Sequence, residues 1–151
     1  MIILTVFEDI REKDNIDDRG VIRIRKTIQK QLSGYKSRVK HMLHCNGVKM
    51  PERFAKPGSH WSRAFITWLM QDVKLLSSTR LSLDLLIRQV EVIRGTLLEA
   101  TRELRKLSQT ERYKHRFDLL MTIPGIGQHV SMCILTEVWV SYHFSVRSFK
   151  L

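Results

Sequence analysis

The sequence is short of cysteine, of acid and of long apolar runs, and each shortage removes a class of protein. Its two cysteines, Cys45 and Cys133, stand far apart in 151 residues. That spacing suggests neither a disulfide framework nor a cysteine-built zinc site, and it fits a reducing cytoplasm. The apolar opening, Met1 to Phe7, is short, runs straight into acids and has no basic leader. A signal peptide, a membrane anchor and a membrane partner are therefore not expected. The length excludes a large multi-domain enzyme and suits one domain, or a helical stem carrying one small domain. Acids number 15 against 26 Lys and Arg, a formal net charge of +11. A surplus of that size points to a polyanion, because each cation placed on a phosphate releases condensed counterions.

What is present is enough to fold: 43% of residues are apolar and 27% charged, ordinary for a folded protein and too hydrophobic for a disordered one. The charge is unevenly spread. Six of the 15 acids (Glu8, Asp9, Glu12, Asp14, Asp17, Asp18) fall in the first 18 residues. From Arg19 to Pro51 there are nine Lys or Arg and no acid. A solvated helix face ordinarily mixes signs to gain i,i+4 pairs, so this one-sidedness calls for an outside anion, nucleic acid first.

The expected fold is mostly α: long antiparallel helices forming a coiled-coil stem, with a partial helix-hairpin-helix module. Residues 1–16 read as a lead-in, with a strand-like run from Ile2 to Phe7. Residues 17–110 read as the stem. Its first helix should run from about Asp17 to Cys45, with Val21, Ile24, Ile28, Leu32, Tyr35, Val39 and Met42 as the apolar stripe and Asn46-Gly47 as the stop. On the other face Arg19, Arg23, Lys26, Lys30, Lys36 and Lys40 form a basic stripe, the candidate nucleic-acid contact. A short helix is expected from Ser59, its Trp61, Phe65, Trp68 and Leu69 spaced as core rather than as base-stacking platforms. Leu83, Leu86, Val90, Ile93, Leu97, Ala100, Leu104 and Leu107 then alternate steps of three and four. Such a seam wants another helix, from this chain or from a second copy in a homo-oligomer. Among them Arg88, Glu91, Arg94, Glu99, Arg102, Glu103 and Arg105 read as a solvated exterior.

Residues 111–138 carry the hairpin signature. Phe117, Leu119, Leu120 and Met121 precede Ile123-Pro124-Gly125-Ile126-Gly127, and Val130, Cys133, Ile134 and Leu135 follow. Glycines suit a turn that needs conformations costly to a residue with a Cβ, and they permit close approach of backbone to a phosphate. Gly125, Ile126, Gly127 and Gln128 are accordingly the second candidate contact, one that positions a nucleic acid without reading its bases. A glycine-containing αα-hairpin used only for packing is the plainer alternative.

No catalytic residue is assigned. No Asp follows Asp118 and the only Lys after Lys114 is Lys150, which leaves little room for a helix-hairpin-helix glycosylase. Asp9, Asp14, Asp17 and Asp18 could be drawn as a two-metal nuclease cluster, but helix capping and a charged linker explain them better. His41, His44 and Cys45 lack a fourth ligand at suitable spacing. Ser131 has no neighbour in sequence placed to activate it.

The order of these features resembles a known family. VIRIRKTIQKQLSGYKSRVKHMLHCNGVKMPERF, then HWSRAFITWL, the heptad helix and LLMTIPGIGQHVSMCILTEV are similar to insertion-sequence transposases. These pair an RuvC-like (DEDD) N-terminal domain with a helix-hairpin-helix C-terminal transposase domain, and include the bridge-RNA-guided recombinases. The likeness covers about residue 15 to Val138. It implies DNA binding in DNA transposition, with DNA or structured RNA as partner. In the family Mg²⁺ is held by the RuvC-like carboxylates and acts with a serine of the C-terminal domain. None of those catalytic residues maps onto this chain, so no cofactor is expected here. After Glu137-Val138, where the family continues through Asp-x-x-x-Phe, residues 139–151 read WVSYHFSVRSFKL. The expectation is a truncated transposase fragment without catalytic competence, its tail explained by a frameshift or premature stop. The alternative is a helical oligomerisation module with no nucleic-acid role.

Overall fold

The computed structural model describes residues 12–56 and 60–138. The expected strand at Ile2–Phe7, Asp9 and the tail from Trp139 lie outside the described residues. The described chain is mostly α, with no strand. Its helices are α1 (Glu12–Cys45), α2 (Arg63–Gln71), α3 (Ser77–Ser108), α4 (Glu111–Met121) and α5 (Gln128–Cys133), with a 3-10 turn at Glu52–Phe54 and a π turn at Ile134–Val138. The chain divides into two compact units, one of residues 1–28 with 97–151 and one of residues 29–96. The division cuts both long helices.

Helix α1 starts at Glu12, ahead of the expected Asp17. Its end is built as the sequence implies. Gly47 takes φ +66°, its N–H donates to the His44 carbonyl at 3.0 Å, and the Val48 N–H donates to the Leu43 carbonyl at 3.0 Å. This is the paired closure of a Schellman motif.

In the first unit the core joins Ile22 of α1, Leu104 of α3, Tyr113 and Phe117 of α4, Met132 of α5 and Leu135, with Leu107, Leu120 and Cys133 packed against it. The expected α1 stripe is corrected here. Ile24 is 53% exposed and Ile22, about 100° round the helix from Val21, is buried, because Leu104, Tyr113 and Met132 pack on that side. On the hairpin, Leu119, Met121, Ile123 and Val130 are likewise exposed rather than packed. The buried serine and threonine hydroxyls are satisfied locally. Ser108 donates to the Arg105 carbonyl at 2.8 Å, Ser131 to that of Gly127 at 3.2 Å and Thr136 to that of Met132 at 2.8 Å. Within this unit Ile22 meets Leu104 and Arg25 meets Thr101, so α1 and α3 run antiparallel.

In the second unit the core is aromatic. Phe65 stands edge-on to Phe54 at 5.3 Å and to Trp61 at 5.5 Å, and lies 5.5 Å from Trp68. Leu32, Val39 and Leu43 of α1 and Leu83, Ile87 and Val90 of α3 are buried as well. The heptad seam of α3 is thus its inward face. Helix α2 begins later than Ser59 suggested, at Arg63, with the Ser62 hydroxyl accepting from the Phe65 N–H at 3.2 Å. Arg80 closes its far end by donating to the carbonyls of Leu69 at 2.7 Å and Val73 at 3.2 Å. Just before α2, Trp61 holds φ +66°, a left-handed conformation that costs a bulky residue about 1–3 kcal/mol and persists only when its surroundings fix it.

Candidate nucleic-acid interface

A helix turns about 100° per residue, so Arg19, Arg23, Lys26 and Lys30 fall on one strip of α1, which borders buried Ile22 at its start and leaves the Arg19 side chain only 17% exposed. Lys36 does not. Six residues beyond Lys30 is about 240° further round, which places it towards the core, half-buried, with its Nζ 5.5 Å from the centre of the Trp61 ring. Burial first, then the charges of Arg94 and Lys40, hold its ammonium below the ordinary lysine range. Lys40 is exposed and reaches His60 Nδ1 at 3.1 Å.

Within the strip the members differ in what they face. Arg19 Nη2 pairs with Glu137 Oε2, and Arg23 Nε donates to Glu137 Oε1 at 3.0 Å. The hydrogen bonds from Arg23 and Arg19 hold the Glu137 carboxyl down at about 2. These two arginines thus fasten α1 to the π turn after α5. Asp18 does the same for α4, its Oδ2 accepting from Arg112 Nη1 at 2.6 Å and from the Tyr113 hydroxyl at 2.8 Å. Burial and that bond push the Tyr113 hydroxyl well above the ordinary tyrosine range. Lys26 and Lys30 are exposed. Among the described residues, no carboxylate pairs with any α1 cation from Arg25 onwards.

The hairpin turn is a type II β-turn. Pro124 takes the position that suits its fixed φ, Gly125 follows at φ +86°, and the Ile126 N–H donates to the Ile123 carbonyl at 3.1 Å. Gly127 differs. It caps α5 at φ −97° and ψ 172°, and a Cβ built on it meets nothing within 4 Å. The turn demands a glycine at 125, whereas neither backbone conformation nor packing demands one at 127.

Two α1 cations neighbour the hairpin: Lys26, a member of the expected basic stripe, and Arg25, which the sequence does not single out. Burial lowers the His129 pKa, and Arg25 and Lys26 lie close enough to add to that lowering. The first unit therefore brings Arg25 and Lys26 beside the start of α5. Spacing on α1 could not reveal this, since the meeting spans about a hundred residues of sequence.

The remaining chemical candidates are accounted for. Ser131 is buried, and its hydroxyl donates to the Gly127 carbonyl and faces Met121 Sδ at 3.5 Å. Burial and Glu137 raise the Cys133 thiol, which opposes thiolate formation. His41 Nε2 lies 3.5 Å from Cys45 Sγ, but no group of three metal-ligating side chains occurs among the described residues. Nor is any described helix long and apolar enough to cross a membrane. These elements define a mostly α-helical protein in which the α1 cations from Arg25 onwards meet no carboxylate among the described residues. The chain matches no protein-family model, no curated protein and no solved structure.

Proposed function

We propose that the chain binds the phosphate backbone of nucleic acid, as the DNA-binding part of a transposase of the RuvC and helix-hairpin-helix type. One observation carries it: Lys26 and Lys30 stand exposed, one turn apart, on a helix whose cations from Arg25 onwards meet no carboxylate among the described residues. Like charges at i,i+4 repel, so the arrangement costs the free protein something that an anion returns. Gly127 adds support, since a glycine that the fold does not require keeps a surface open to close backbone approach. The transposase assignment rests on the sequence likeness through LLMTIPGIGQHVSMCILTEV. The role is binding, not catalysis, with DNA as the first partner and structured RNA as the second.

Fluorescence anisotropy with labelled duplex DNA and structured RNA, at about 50 and 200 mM salt, tests this reading. Lys26→Glu with Lys30→Glu should weaken binding at least tenfold at the lower salt. Arg23→Glu is a poorer probe because it also breaks the tie to Glu137. Absence of low-salt binding to both nucleic acids would refute the reading.

A second reading has its own observation. Leu81, Leu85 and Val92 of α3 are exposed at helical spacing, outside the buried heptad seam, and an apolar stripe of this kind fits a second copy of the chain. Sedimentation over a range of concentrations decides it, and a strict monomer rules it out.

A further inference from the structure

In the second unit, cations from two helices converge on two consecutive residues, His60 and Trp61. Lys40 Nζ lies 3.1 Å from His60 Nδ1. Lys36 Nζ sits 5.5 Å from the centre of the Trp61 ring. Arg94 Nη1 donates to the Trp61 carbonyl at 3.1 Å. Each cation thus has a neutral partner, and among the described residues none of the three has a carboxylate. Elsewhere in the same unit Arg53 pairs with Asp72 and Arg80 with Asp84. The cluster therefore stands out against its own surroundings.

His60 shows what the cluster lacks. An ammonium can only donate, so Nδ1 is the acceptor of the Lys40 contact and the ring proton sits on Nε2. That Nε2 is buried and has no hydrogen-bond partner among the described residues. A buried donor without an acceptor is unfavourable, and so is the crowding of exposed Lys40 and Arg94 on half-buried Lys36. One oxyanion relieves both. It accepts from Nε2–H and neutralises the ammonium and guanidinium groups, and the guanidinium offers a planar fork that fits phosphate oxygens. The lowered pKa of Lys36, caused first by burial and then by Arg94 and Lys40, agrees with this crowding. The left-handed φ of Trp61 presents its carbonyl and ring to these cations in the conformation their contacts hold.

We propose that Lys36, Lys40, Arg94 and His60 form a subsite for one phosphate group of a nucleic-acid backbone. The subsite stands on this geometry, and only the source of its phosphate rests on the function proposed above. It adds Arg94 and His60 to the binding residues and gives Lys36 a task its half-buried position does not suit on an open helix face.

Thermal unfolding of the full chain, with inorganic pyrophosphate as probe against sodium chloride at equal ionic strength, reads the subsite directly. At roughly ten times its Kd, pyrophosphate should raise the wild-type Tm by about 3–6 °C beyond chloride. Lys36→Met keeps an apolar stem against Trp61 and removes the charge. Without ligand it should melt no lower than wild type, and it should lose the pyrophosphate response. Lys40→Gln, at an exposed position, should halve the response or more without touching the fold, and Arg88→Gln on the exposed side of α3 should leave it unchanged. In anisotropy with duplex DNA and structured RNA, Lys36→Met should make the slope of log affinity against log salt shallower by about one. An equal pyrophosphate response in wild type, Lys36→Met and Lys40→Gln overturns the subsite. A response lost in both variants, with no binding of either nucleic acid by wild type, overturns the nucleic-acid source and the proposed function while the phosphate geometry stands.

Discussion

Two clusters of positive charge, one in each compact unit, are answered in opposite ways. In the first, Arg19 and Arg23 share Glu137, and Arg112 meets Asp18. In the second, Lys36, Lys40 and Arg94 gather round His60 and Trp61 with no acid among the described residues. The difference separates two uses of the same residue types. Where a carboxylate from a distant segment answers an arginine, the pair fixes one helix against another. Where none answers, the charge is left for a partner. The formal net charge of +11 is therefore not spread evenly over binding. Part of the cationic character read from the sequence is spent internally, and Arg19 and Arg23 belong to that part.

The comparison is broken most severely at Asp18. Asp18→Ala strands the hydroxyl of fully buried Tyr113, and urea unfolding should show a loss of about 2–3 kcal/mol. A loss well under 1 kcal/mol would mean the Asp18 clasp is ornamental. Next comes Glu137→Gln, which should cost about 1 kcal/mol, since the pair is partly exposed and solvent screens it. Its pH dependence has a definite sign. The carboxyl titrates near 2 in the folded chain against an ordinary 4.5. The stability it confers is therefore complete above about pH 4.5 and lost as pH falls towards about 2. The wild-type curve should steepen across that window, and the Glu137→Gln curve should be flatter there.

Smaller effects sharpen the picture at the hairpin. Gly125→Ala must carry a Cβ at φ +86° and should cost about 1 kcal/mol. Gly127→Ala, with open space around it, should cost only about 0.5 kcal/mol as a poorer helix cap. If Gly127 serves backbone approach, that alanine should nonetheless weaken nucleic-acid binding several-fold, a separation of binding from stability that calorimetry and anisotropy together can measure.

Local features of the fold were legible in the sequence and distant pairings were not. The stop at Asn46-Gly47, the inward seam of α3 and the Pro124-Gly125 turn follow from short-range chemistry, and the structure has them. Periodicity leaves the phase of α1 open because Val21, Ile22 and Ile24 are all apolar and β-branched within one turn; only the packed partners select Ile22. Periodicity on α1 could not expose the ties of Asp18 to Arg112 or of Arg19 to Glu137, which join residues about a hundred positions apart. Arg94 looked like one more solvated charge among alternating signs on α3, and its place became visible only once Trp61 lay against it. Lys36 matched the basic pattern in composition but not in angle.

The most direct measurement of the central claim is the salt dependence of duplex DNA binding for wild type and for Lys26→Glu with Lys30→Glu, whose exposed positions should alter stability by no more than about 0.5 kcal/mol. Unanswered cations predict a steep fall of affinity with salt in wild type, with at least tenfold weaker binding and a shallower slope in the double variant. Equal affinities and equal slopes in the two proteins would contradict it.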